Sequence, residues 1–358
     1  MDRIFKYRPL SEFLFKELYY QELYFASYNE LNDPLDLSAR IEFTSKDKVA
    51  IEYLIWFIFK THLDFKELHK SNENISKLFK FNEDEKAKSK LVNEIYDCVN
   101  NTLRLEEKIW TNDIIKIIND SIETTQTDIV FDSTMFKSEL ERITNKFLKN
   151  SYVSCFSETN NDFLMWSHYA SKHSGICLEF NLENGWAFPY EIKGSREQDK
   201  EKYKKRISEW DTKSSIYWDR IRKVNYEEEQ PFINFYNFAV VFENESDCDL
   251  IGLSKSWTHK YAQELEWVFS TKTNSWKYEN EWRAIEINFG ETKEPEERIR
   301  HYPIESLASV YFGVNTPEKV RKRIYRMLSN RNPEIEFFES ILSGNNTIEF
   351  SYWECQEE

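Results

Sequence analysis

The hydrophobic period of this chain changes twice along its length, and that change limits the folds open to it. From Lys46 to about Lys149, apolar residues recur at helical spacing in KDKVAIEYLIWFIFKTHL, LVNEIYDCVNNTLRLEEKIW and MFKSELERITNKFL. No strand pattern interrupts this stretch. Short strand-like runs lie before it and after it, so two sequence-distant groups of strands must share one sheet. The pattern predicts an α+β fold with a central mixed or antiparallel sheet and flanking helices. Residues 1–45 and 150–358 would form the core domain, and 46–149 a helical insertion or subdomain.

Within the expected core, Arg3 to Arg8 alternates as a strand, and a helix opened by Pro9 and Leu10 reaches about Leu18. Leu23 to Ser27 is strand-like and NELNDPLD, residues 29–36, is a turn cluster. Ser151–Phe156 reads as a strand. Asn160 or Asn161 caps a helix to about Lys172, with Gly175 as its left-handed C′ residue. Ile176–Phe180, Val224–Tyr226, Glu281–Phe289, Leu307–Phe312 and Thr347–Trp353 read as further strands. Leu253–Phe269 reads as a helix, and Thr316 caps another with Pro317 in its first turn.

Composition excludes several classes. Hydrophobic residues make up 40% and aromatics 16%, enough to build a core and rule out global disorder. Only 7 glycines occur, and neither G-x-G-x-x-G nor G-x-x-x-x-G-K-[ST] is present, which argues against a glycine-rich nucleotide loop. The formal charge of −15 disfavours nucleic acid and anionic membranes, with one basic run at Lys202, Lys204, Lys205 and Arg206 read as a solvated helix face. The five cysteines are odd in number and irregularly spaced, so a reducing cytoplasm is the expected setting. The apolar run Tyr53–Phe59 is too short to span a bilayer, and the N-terminal residues lack a secretory core.

Two segments concentrate residue types that carry chemistry. In a strand from Glu281 to Phe289, Glu281 and Arg283 share a face with Ile285, Ile287 and Phe289. Charges on such a face are paired, wet or functional. One reading is a Glu–Arg pair sealing the end of a core; the other is a carboxylate at the mouth of a cleft. A helix from Asp162 to Lys172 aligns Met165, His168, Tyr169 and Lys172 on one stripe, beside Trp166, Tyr169, Ala170 and His173. It packs as an aromatic helix on a sheet, or it points His168 and Tyr169 into a pocket. Cys155, His168, His173 and Cys177 have zinc-type side chains, yet positions five apart on a helix diverge by about 140°, so metal is not expected.

Several stretches together resemble a mainly bacterial family, domain of unknown function 2971. They are Phe5-Lys6-Tyr7-Arg8, Leu23 to Ser27 followed by Asn32-Asp33-Pro34, Cys155-Phe156-Ser157, Met165 to Ala170, and Trp276 to Arg283. The resemblance implies that these residues converge, in a setting of bacterial stress or phage defence. A weaker resemblance links Tyr278-Glu279-Asn280-Glu281-Trp282-Arg283 to the late strand of ADP-ribosyltransferases. It implies NAD as substrate, with Glu281 as the key carboxylate and His168 and Tyr169 on the nicotinamide side. Lys6, Tyr7, Arg8, Ser27, Asn32, Asp33, Trp166 and Arg283 are then the NAD-contacting candidates.

Three functions remain open on this evidence. The first is an NAD-consuming enzyme, by ADP-ribosyl transfer or NAD hydrolysis. The second is a non-enzymatic ligand-sensing or protein-binding module that recruits a protein partner through 46–149. The third is a metal-dependent hydrolase or nuclease using Asp33, Asp36 and Glu281.

Overall fold

The computed structural model describes residues 3–68, 84–127, 129, 131–148, 150–182, 221–238, 265–287, 292–343 and 347–356. The fold is α+β, as the change of period predicts. The basic run at 202–206, residues 253–264 of the expected helix and residues 288–289 of the expected strand lie outside the described residues. Residues 265–269 are helical. The chain divides into two compact units, 1–36 with 149–229 and 270–358, and 37–148 with 230–269.

The first unit is built on a sheet of nine described strands: β1 (Arg3–Arg8), β2 (Ala26–Ser27), β3 (Ser151–Ser157), β4 (Ile176–Asn181), β5 (Ile221–Lys223), β6 (Glu281–Ile287), β7 (Leu307–Phe312), β8 (Glu336–Ser343) and β9 (Thr347–Tyr352). Their order is β9-β8-β7-β4-β1-β3-β6-β5, with β2 also pairing β3. Only β7 and β8 run parallel; the other pairs in this sheet are antiparallel.

Helices cover both faces. α1 (Glu12–Tyr20) starts at Ser11, whose hydroxyl accepts from the Leu14 amide, and α3 (Glu318–Ser329) lies beside it. Together they bury Leu14, Leu18, Ile324 and Leu328 against Ile4, Ile176, Leu178, Phe180 and Phe312. Each such side chain contributes about 1.5–3 kcal/mol when fully buried. On the opposite face, α2 (Phe163–Tyr169) packs Met165 and Trp166 against Tyr7, Cys177 and Tyr311.

The expected helix to Lys172 stops at Tyr169. Asp162, rather than Asn160 or Asn161, caps it by accepting from the Met165 amide. Ser171, Lys172 and His173 then take three consecutive left-handed conformations, at φ 48°, 54° and 65°. Gly175 is not the left-handed residue. It is required because a Cβ there would lie 2.2 Å from the Arg8 carbonyl oxygen. Nor does Thr316 cap α3: Pro317 takes that position, and the Thr316 hydroxyl donates to the Gly175 carbonyl at 2.7 Å. Gly313 meets a similar limit, with the His173 carbonyl oxygen 2.2 Å from a notional Cβ.

The second unit contains helices Lys48–Leu68, Glu85–Leu105, Thr111–Thr125 and Ser133–Leu148. It also takes in residues 37–45 and 230–269, which lie beyond the expected limits of 46 and 149. The reason is a parallel pair, Arg40–Glu42 with Phe232–Asn234, whose register joins Ile41 to Ile233. Phe43 stacks on Phe235 at 4.7 Å. Among the described residues, no helix is long and apolar enough to cross a membrane.

Gly175→Ala places a methyl group against backbone that cannot move without shifting β1. It is expected to cost about 1–3 kcal/mol, read as a lower urea midpoint with an unchanged slope. An unchanged midpoint would show that the Arg8 carbonyl can yield.

Candidate functional site

The sheet opens between β1 and β3. One edge of β3 is fully occupied by β6, from Ser151 opposite Ile287 to Ser157 opposite Glu281. On its other edge, β1 pairs only at Phe5–Ser157, and β2 pairs only at Val153 and Tyr152. Ser154, Cys155 and Phe156 lie in the gap. Lys6 bridges it, donating to the Cys155 carbonyl and the Ser154 hydroxyl, both at 2.9 Å. Its ammonium also sits 4.7 Å over the Phe156 ring. Burial, then the nearby Arg8 charge, lower the Lys6 pKa to about 8.

A cleft of about 270 Å³ occupies this opening. Lys6, Tyr7 and Arg8 of β1, Asn32 and Asp36 of the turn, Tyr169 of α2, and Lys272, Glu279 and Glu281 all line it. Its floor is a buried charge cluster. The fully buried Arg283 guanidinium holds both Asp36 oxygens at 2.7 Å and both Glu281 oxygens at 2.7 and 3.0 Å. The Lys272 ammonium lies 2.7 Å from Glu279, 3.1 Å from Glu281 and 3.5 Å from Asp36.

Three carboxylates face two cations here, and the surroundings separate the carboxylates. Burial would raise the Glu281 pKa, but Arg283 and then Lys272 outweigh it and hold it at about 2. Glu279 moves the other way, raised first by burial, with Glu281 as a like-charge neighbour against the pull of Lys272. Tyr169 donates to Glu279 in a short hydrogen bond, and Asn32 donates to the Tyr169 oxygen at 2.6 Å. Burial and then Glu279 raise the Tyr169 phenol above its ordinary value. The cleft therefore presents one carboxylate held well below the ordinary range and a second pushed above it.

The candidate residues divide accordingly. Glu281, Tyr169, Lys6, Tyr7, Arg8 and Asn32 share the cleft. Arg283 lies beneath it as the clamp on Glu281. His168 is exposed and pairs with the Tyr278 hydroxyl at 3.1 Å. Trp166 is fully buried, its indole nitrogen donating to the Asn160 carbonyl at 2.6 Å, so its ring is core. Ser27 and its amide bind Glu30, and Asp33 accepts from the Leu35 amide at 2.9 Å.

The carboxylates of the metal-dependent reading, Asp33, Asp36 and Glu281, are engaged elsewhere. Asp36 and Glu281 converge on a guanidinium, and His173 packs against the Phe163 ring at 4.7 Å. Among the described residues, no group of three His, Cys, Asp or Glu could hold a metal ion.

Two cleft residues escape the sequence reading. Glu279 lies in a 3-10 turn, Asn274–Glu279, outside the strand alternation that singled out Glu281. Lys272 sits in the short strand Thr271–Thr273 with no pattern to mark it.

Residues 165–284 match the model of a protein family of unknown function, DUF2971. The matched segment runs from α2 to the fourth residue of β6, so it includes Tyr169, Lys272, Glu279, Glu281 and Arg283. No curated protein and no solved structure matches the chain.

Arg283→Met leaves two buried carboxylates without their clamp and is expected to destabilise the protein by about 3–5 kcal/mol in urea unfolding. Little change would mean that the cluster is hydrated. Because the folded-state pKa of Glu281 lies below its ordinary value, its contribution is complete above pH 4.5 and is lost as pH falls toward about 2. Glu281→Gln should flatten that acid limb when stability is measured across this range.

Proposed function

We propose that the cleft binds the nicotinamide end of NAD and breaks its N-glycosidic bond, transferring ADP-ribose to an acceptor or to water. The observation that carries this reading is the convergence on one cleft of Lys6, Tyr7 and Arg8, Tyr169, and the Glu279–Glu281 pair. The cleft volume lies just below the usual range of about 300–1,000 Å³ for ligand sites. That suits the reacting half of a dinucleotide, with the rest extending outward.

In this scheme the bond between ribose C1′ and the nicotinamide nitrogen breaks, and its electron pair leaves with nicotinamide. Positive charge then develops on the ribose. Glu281 is held ionised by Arg283 and Lys272 and supplies a fixed negative field at that position. The acceptor oxygen or nitrogen attacks C1′ and its proton passes to Glu279, whose raised pKa favours protonation. Lys6 supplies positive charge for the diphosphate, with Arg8 beside it already paired to Glu17. The setting in bacterial stress or phage defence rests on the family resemblance alone.

One observation favours a second reading, binding without chemistry. Both Glu281 oxygens are already engaged by Arg283, and one also by Lys272. On that reading the cleft senses a ligand and the charge cluster is scaffolding.

Incubation with NAD and chromatographic detection of free nicotinamide separates the two. The enzymatic reading expects release that falls at least 100-fold in Glu281→Gln, with Glu279→Gln slowed and NAD still bound. Saturable NAD binding with no nicotinamide release would establish the sensing reading. Neither binding nor release would overturn the enzymatic reading and exclude NAD as the ligand sensed.

A further inference from the structure

We propose that the surface formed by α1 and α3 binds single-stranded nucleic acid. The proposal is independent of the reaction assigned to the cleft. On α3, Lys319, Lys322, Arg323 and Arg326 occur at the 0, 3, 4, 7 spacing that places them on one helical face. With Glu318 they line an open groove of about 500 Å³. The fold makes little use of this stripe. The helix is anchored by Ile324, Leu328 and Arg321, with Arg321 paired to Glu339 at 2.6 Å. Among the described residues, none of the four stripe cations forms an ion pair.

The neighbouring helix supplies rings. Tyr19 is 48% exposed and Tyr20 47%. The Arg323 guanidinium lies 3.9 Å over the Phe15 ring and that of Arg331 lies 4.6 Å over Tyr19, which joins the basic and aromatic rows. Tyr19 and Tyr20 meet edge to face at 4.9 Å. Lys16, on the same helix, is paired with Glu22 at 3.2 Å and adds little positive charge.

Cations at helical spacing can follow a phosphate backbone, and exposed rings can stack on bases that are free of a duplex. A duplex hides those base faces, and an acidic peptide would leave the rings unused. Single strands are the polymer that uses both rows. The net charge of −15 disfavours nucleic acid over the surface as a whole. Charges more than about 8 Å away are largely screened at physiological salt, so a local basic stripe acts by itself.

The test is fluorescence anisotropy of the full chain with a labelled 20-nucleotide oligodeoxythymidine. A salt slope of roughly 0.7 per phosphate contact makes four contacts worth about a 50-fold loss of affinity between 50 and 200 mM salt. Lys319→Glu with Lys322→Glu and Arg326→Glu should weaken binding at least tenfold. Tyr19→Ala with Tyr20→Ala should weaken it at least fivefold at constant salt. All five positions lie outside the core, and wild-type melting temperatures confirm that the variants fold. The proposal is overturned by no binding to wild type, by full affinity in the charge-reversal variant, or by full affinity in the aromatic variant. Displacement by polyglutamate as effective as by unlabelled oligonucleotide also overturns it.

Discussion

A guanidinium with no access to water holds the active-looking end of this molecule together. Arg283 on β6 grips Asp36 from the early turn and Glu281 two residues before it on the same strand, using both oxygens of each. Desolvating such an arginine is unfavourable by itself, and only a full set of charge-assisted hydrogen bonds offsets it. The turn at 33–36 is therefore fixed to the strand 247 positions away in sequence. That attachment sets the position of Asn32, which in turn contacts Tyr169, and through it Glu279.

The opening in the sheet follows a related logic. A break in a ladder leaves backbone groups without partners, and such groups are costly when buried. Lys6 supplies the missing donor to Cys155 and occupies the gap with a side chain in place of a strand. The same residue then serves both purposes: it completes the sheet and lines the cleft. Its lowered pKa is the electrostatic cost of this placement, set by burial and Arg8.

Much of this architecture is visible in the sequence, and the exceptions have physical causes. β1 was legible from its alternation, and the helical stretch from its period. The sharing of Glu281 and Arg283 on one face follows from strand geometry, but the identity of their partner does not. Asp36 reaches Arg283 only through tertiary structure, and Lys272 reaches Glu281 without any local pattern. The helix read as reaching Lys172 shows the limit of periodicity. Helical spacing carries its stripes on to Lys172 and His173, yet the backbone turns left-handed at Ser171, ahead of the close approach of Gly175 to β1. The sequence singles out Gly175 for conformational freedom, whereas what the fold needs is its small size.

Three successive left-handed residues are an uncommon conformation, each disfavoured by about 1 kcal/mol or more. They persist because both sides of the loop are bolted to main chain: Gly175 abuts Arg8, and Gly313 abuts the carbonyl of His173, which also receives the Asn315 amide at 2.9 Å. The wall bearing Tyr169 is consequently a fixed jaw. If the cleft widens or narrows around a guest, the travel belongs to the short β2 segment, which holds β3 through two residue pairs alone.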